Sequence, residues 1–215
     1  MKYFSLPRNV QGLIFDIDNT LYRNDRYCAL QVELLIGRYS EKAGIPLKEA
    51  ERRVADIRRR YAEVNNGSTT STGNAMLELG VSLKENITWR NELFHPEVHL
   101  SPDPLLKEAL TQLADEYAIV LVTNNTVQIG ADTLAALGIE GISGKIVGLD
   151  TCLKSKPSKE PFIKALELCG MPAGRMISVG DRFDVDVAVP LSLGMGGILI
   201  EGMQDIYKLP AFLRG

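Results

Sequence analysis

The chain has no apolar run near the roughly 20 residues that a membrane-spanning helix needs. Its opening, MKYFSLPRNV, has no apolar core of the kind a secretion signal carries. Together these absences predict a soluble, cytoplasmic protein that is neither secreted nor bound to a membrane. Charge of one sign is also missing: 24 Lys and Arg face 27 Asp and Glu over 215 residues, for a net charge of -3. Such a balance offers no electrostatic footprint for a nucleic acid polymer. Cysteine is scarce, and the three present (Cys28, Cys152 and Cys169) are odd in number and scattered. They fit a reducing compartment better than a disulfide framework. There is no internal repeat and no low-complexity tract. The two histidines, His95 and His99, stand four apart in HPEVH, but Pro96 and the SPDP that follows place them in a loop or hinge. A zinc pair would need a helix to present it.

What is present is core-forming material: 45% of the residues are apolar, ample for a hydrophobic core. Five short runs, GLIFDI, AIVLVTN, KIVGL, MISVGD and GGILI, are continuously apolar rather than alternating. That is the pattern of parallel strands covered on both faces. Helical stretches lie between them. DPLLKEALTQLADEY opens with Asp103 as N-cap and Pro104 at the first helical position. QIGADTLAALG stops at Gly138, and SKEPFIKALELCG starts from a Ser158 cap and stops at Gly170. Strands alternating with helices of this length predict an α/β fold, a Rossmann-like three-layer core around a parallel sheet.

Residues 23–99 break the rhythm. YCALQVELLIGRYSEKAG, LKEAERRVADIRRRYAEV and GNAMLELG read as helix after helix. The expected organisation is a core of residues 1–22 and 100–215 with an inserted all-helical cap at 23–99, acting as a lid. Trp89 and the leucines of this block are expected in the cap's own core, and the RRRY at Arg58 on a solvated helix face. Within the block, NNGSTTSTG from Asn65 to Gly73 reads as a loop, either substrate-facing or a mere connector.

The chemistry begins where the first strand ends. GLIFDIDNTLY places Asp16 and Asp18 one residue apart on one face of an extended segment. In an open parallel sheet, ligands bind beyond the carboxyl ends of the strands. Other strand ends carry polar groups too: Thr123 and Asn124 in VLVTNN, Lys156 in SKPSKEP, and Asp181, Asp184 and Asp186 in SVGDRFDVD. Bare carboxylates crowded in a cleft repel one another. A hard cation such as Mg²⁺ together with Lys156 would remove that penalty and neutralise a phosphate. One carboxylate could then attack phosphorus and another donate a proton.

DIDNTLY, VTNN, KPSKEPF and GDRFDVD, in this order, resemble the four motifs of the haloacid dehalogenase superfamily, over a span from Gly12 to about Ile200. The inserted helical block resembles its helical cap type. The resemblance implies an α/β phosphatase with Mg²⁺ as cofactor and a small phosphate monoester as substrate. Asp16 would be the nucleophile and Asp18 the general acid and base, its backbone carbonyl helping to hold Mg²⁺. Thr123 would bind the phosphoryl group, with Asn124 beside it, and Lys156 would balance charge. Asp181 would be a metal ligand, and Asp186 would support the metal or Lys156. Two departures stand out: Arg182 replaces the serine common after Asp181, and Pro190 interrupts the following helix. A shortened or kinked helix is expected there.

Dehalogenases share the architecture but attack carbon without the metal. The presence of Asp18, Asp181 and Asp186 favours phosphoryl transfer. Within the phosphatases, DIDNTLY and NNGSTTSTGNAMLELGV resemble the pyrimidine 5'-nucleotidase-like branch. On that reading Tyr22 and Arg23 line the leaving-group side, and Asn66 and Ser68 meet a sugar or base. A phosphoglycolate or sugar-phosphate phosphatase, a phosphomutase and a silent phosphate-binding protein on the same fold stay open, as does the oligomeric state.

Overall fold

The computed structural model describes residues 1–65 and 67–214. Among these, six strands form one sheet: β1 (Lys2–Phe4), β2 (Gly12–Phe15), β3 (Ala118–Val122), β4 (Ile146–Val147), β5 (Met176–Gly180) and β6 (Gly196–Leu199). Their order is β1-β6-β5-β2-β3-β4, with β1 antiparallel to β6 and the other pairs parallel. Each residue of β2 and β5 is buried, as expected for parallel strands covered on both faces. KIVGL yields only a two-residue strand, because Gly148 caps a helical turn that begins at Leu149. Lys2–Phe4 is a mostly exposed edge, and its three residues carry no period that the sequence could display.

The helices are α1 (Asp25–Ala43), α2 (Leu47–Val64), α3 (Thr72–Glu78), α4 (Leu83–Leu93), α5 (Pro96–His99), α6 (Pro104–Ala114), α7 (Val127–Ala136), α8 (Leu149–Cys152), α9 (Glu160–Cys169), α10 (Ala188–Ser192) and α11 (Met203–Arg214). None of the described helices is long and apolar enough to cross a membrane. The chain divides into two compact units, Met1–Asn24 with His95–Gly215, and Asp25–Phe94. In the first, Ile14, Val120, Val122 and Met176 of the sheet meet Phe162 and Ala165 of α9 in one buried cluster. The second has its own core, in which Tyr27, Leu35, Val54, Ile57, Met76 and Trp89 are buried. The changeover falls at 94/95 rather than 99/100 because α5 packs on α7 of the sheet-bearing unit.

Local signals explain most boundaries. Asp103 accepts the Leu106 amide at 3.0 Å and caps α6. Gly170 ends α9 in the left-handed region at φ 66°. Ser158 does not cap α9: Lys159 holds that position without a side-chain bond, and the Ser158 amide instead closes a turn onto the Ser155 carbonyl. The polar stretch at 65–73 is shorter than expected as a loop, because Ser71 accepts the Asn74 amide at 3.1 Å and starts α3. Asn66 lies outside the described residues. HPEVH is a single helical turn rather than a loop, with Pro96 at its first position.

Candidate active site

The chain winds from β2 outward through β3 to β4, then crosses back to β5 and β6 on the other side of β2. That reversal makes a crevice beyond the carboxyl ends of β2 and its neighbours. Phe15 of β2 pairs with Leu121 of β3 and Val179 of β5. The residues that follow, Asp16, Thr123 and Asp181, are thereby delivered to one place.

Lys156 reaches this place from the loop before α9. Its ammonium donates at 2.6 Å to Asp16 Oδ1 and at 2.6 Å to Asp186 Oδ1. All three are buried, Lys156 at 2% exposure, Asp16 at 8% and Asp186 at 1%. Burial alone would pull the Lys156 amine down, but Asp16 and Asp186 outweigh it and hold its pKa above the ordinary value. The second oxygen of Asp16 accepts from the Thr20 hydroxyl at 3.2 Å. Asn124, expected beside the phosphate, clasps the backbone of Lys156: its Oδ1 accepts the Lys156 amide at 2.7 Å and its Nδ2 donates to the Lys156 carbonyl at 3.1 Å.

Asp16, Asp181 and Asp186 each offer a carboxylate oxygen, and these oxygens lie within 4.8 Å of one another. Burial and the neighbouring Asp16 and Asp186 push Asp181 up to about 7. Burial, with Asp16 adding to it and Lys156 opposing, raises Asp186 to about 6. Asp186 is already held by Lys156 and by the Arg182 amide at 3.1 Å. Among the described residues, no donor reaches the Asp181 carboxylate. An all-oxygen set with one unpartnered carboxylate fits a hard divalent cation such as Mg²⁺.

Asp18 faces a different set of partners. Tyr22 donates its hydroxyl to Oδ1 at 2.6 Å, while Asn125 Nδ2 and Thr123 Oγ1 donate to Oδ2 at 3.0 and 3.2 Å. Burial and then Asp16 raise its pKa, and the bonds from Tyr22 and Thr123 oppose the rise. Tyr22 is thus buried with its hydroxyl on Asp18, and Arg23 donates to the Glu201 carbonyl at 3.1 Å.

The segment after β5 shows why its sequence is unusual. A Cβ on Gly180 would stand 2.3 Å from that of Asp186, so glycine is what lets Asp186 come this close. Residues Phe183–Val187 form a π-helical turn, and α10 that follows has only five residues. Pro190 has no N–H to offer the carbonyl four residues back, which is that of Asp186. Ser178 of β5 supplies the missing donor at 2.7 Å. The expected short helix is therefore compatible with a fixed Asp186.

Three of these partners were not singled out from sequence: Thr20, Asn125 and Ser178. Each left a trace. Ser178 is the lone polar residue in a buried strand, Asn125 doubles the asparagine of VTNN, and Thr20 stands one tight turn beyond Asp16.

Carboxylates and one lysine gathered at the carboxyl edge of a mostly parallel sheet suit an anionic ligand held together with a cation. The haloacid dehalogenase-like hydrolase family model matches residues 10–194, and the chain belongs to that family. It is 27% identical over 209 residues to phosphoglycolate phosphatase of Neisseria gonorrhoeae, covering 92% of this chain and 86% of that one. It is 24% identical over 236 residues to the 5-amino-6-(5-phospho-D-ribitylamino)uracil phosphatase YigB of Escherichia coli, covering 98% of this chain and 88% of that one. Its fold matches the crystal structure of a HAD phosphatase from Thermococcus onnurineus with a TM-score of 0.61 at 19% identity, over 96% of this chain and 99% of that one.

Proposed function

We propose that the protein hydrolyses small phosphate monoesters in two steps through an aspartyl-phosphate. The observation that carries this reading is Asp16, buried, with Lys156 on one oxygen and Asp181 and Asp186 close by. A carboxylate paired with an ammonium, beside acids that would hold a divalent cation, can attack a dianion that would otherwise repel it.

In the first step an Asp16 oxygen bonds to phosphorus and the bond from phosphorus to the ester oxygen breaks. The electron pair stays on that oxygen, which takes a proton from Asp18 and leaves as an alcohol. In the second step water gives its proton to Asp18, and its oxygen bonds to phosphorus. The bond between Asp16 and phosphorus breaks, restoring the carboxylate and releasing phosphate. Thr123 binds the phosphoryl oxygens and Asn124 holds Lys156 in place to balance their charge. Asp16 and Asp181 would hold Mg²⁺ with the backbone carbonyl of Asp18, and Asp186 supports the group through Lys156. When bound, the ion would supply positive charge against the phosphoryl oxygens.

The named relatives support an organic-acid or sugar-phosphate ester as substrate. The Escherichia coli relative's substrate joins a phosphorylated chain to a uracil ring, which favours a nucleoside 5'-monophosphate as the second reading. Phosphate release from phosphoglycolate, sugar phosphates and nucleoside monophosphates, with Mg²⁺ and then with EDTA, tests both. We expect Mg²⁺-dependent release that Asp16→Asn abolishes. Release that persists in Asp16→Asn would sink the mechanism.

A further inference from the structure

Tyr22 lies in the turn after β2, yet it is only 4% exposed. The turn is tight: Asn19 sits in the left-handed region at φ 62°, and the Thr20 and Leu21 amides return to the Ile17 carbonyl. A backbone bridge then sets Tyr22 beside Asp18, and the phenol reaches Asp18 Oδ1 at 2.6 Å. Asn125 approaches from the other side, out of the loop after β3, and reaches Oδ2 at 3.0 Å. One hydrogen bond would leave a carboxyl group free to swing about its Cβ–Cγ bond. Two donors on opposite oxygens, carried by two different strand ends, fix its plane. Thr123 also donates to Oδ2, at 3.2 Å, and accepts the Asn125 amide at 3.0 Å.

We infer that Tyr22 and Asn125 are positioning residues for Asp18, aiming its carboxyl group at the leaving oxygen. The inference rests on the reading of Asp18 as general acid. It deepens that reading by stating which esters depend on the aim. An aryl oxide such as p-nitrophenolate leaves without a proton. An alkoxide is far more basic and leaves only as a proton arrives. A loosened Asp18 therefore penalises alkyl phosphates more than aryl phosphates, and sugar and organic-acid phosphates are alkyl phosphates. A merely structural role for Tyr22 and Asn125 would lower both ester types together.

The test compares p-nitrophenyl phosphate with benzyl phosphate, an aryl and an alkyl ester of similar size. The parameter is kcat/KM, which covers the steps up to transfer onto Asp16. Asp18→Asn sets the scale, with an expected loss on benzyl phosphate about a hundredfold greater than on p-nitrophenyl phosphate. Tyr22→Phe and Asn125→Ala should each show a selective loss on benzyl phosphate of about tenfold. Thermal unfolding of each variant checks that it folds, and if Tyr22→Phe does not, Asn125→Ala decides. Equal losses on both esters in these variants, with Asp18→Asn still selective, would overturn the inference and leave the acid role standing. Equal losses in Asp18→Asn itself would remove the acid role and the inference with it.

Discussion

Two regions of this molecule are built from ion pairs, and they behave as opposites. At the ends of β2 and β5, one lysine and two aspartates are buried together and bonded at 2.6 Å. Along α2, Glu49, Arg52, Arg53, Asp56, Arg59 and Glu63 form a ladder of opposite charges three and four residues apart, at the surface. The ladder has more bridges, but water screens each one. The buried trio has two, and neither side can be removed without stranding a charge in the protein interior. Counting salt bridges would rank these regions the wrong way round.

The sharpest way to break the comparison is to remove the buried cation. Lys156→Met leaves Asp16 and Asp186 facing each other without their shared partner. We expect a loss of about 3–5 kcal/mol in denaturant unfolding, the usual cost of stranding buried charge. Phosphatase activity should fall by more than about a hundredfold. The stability loss should shrink at pH 5, because Asp186, raised to about 6, takes up a proton there and the repulsion is relieved. A variant as stable as the parent at pH 8 would show that the trio contributes no more than the ladder.

A smaller effect follows from Asp181, which burial, Asp16 and Asp186 raise from 3.8 to about 7. Between those values the folded state holds a proton that the unfolded state has released. Stability from this group is therefore greatest at the acid end of that window and falls as pH rises toward 7. Asp186, raised to about 6, acts in the same direction over a lower range. Mg²⁺ held by Asp181 would compete with that proton, so its stabilising effect should run the other way. The rise in Tm on adding Mg²⁺ should be larger at pH 8 than at pH 6, and Asp181→Asn should flatten the difference. An equal rise at both pH values would separate Asp181 from the metal.

The same contrast explains what could be read in the sequence. Buried parallel strands announce themselves as unbroken apolar runs, and GLIF and MISVG are strands in the structure. Chemistry at their carboxyl ends is legible because topology alone puts Asp16, Thr123 and Asp181 side by side. Which side chains brace those acids is less legible: the Asn125 bond to Asp18 spans 107 positions, and its local trace is only the doubled asparagine of VTNN. β1 was hidden by its three residues. α11 was hidden by Pro210, which the helix accommodates in its interior. α4 carries a legible local signal, since Ser82 and Glu85 form a capping box whose S-x-x-E signature opens it.

The ladder on α2 gives the smallest effect and completes the contrast. Glu49 takes three bonds, two from Arg52 and one from Arg53, and these arginines bring its carboxyl down to about 2. On paper it is the most heavily bridged acid of the helix. Its contribution would be present above the ordinary carboxylate range and lost as pH falls toward 2. The bonds sit in water, however, and each long side chain gives up rotamer freedom to make them. Glu49→Gln should leave the unfolding midpoint at pH 7 unchanged within error. Whatever difference remains should vanish in 1 M salt, where the Debye length is about 3 Å. A loss that matched Lys156→Met and resisted salt would mean that the arginines of α2 are held against something other than water, and that the ladder is part of a buried surface.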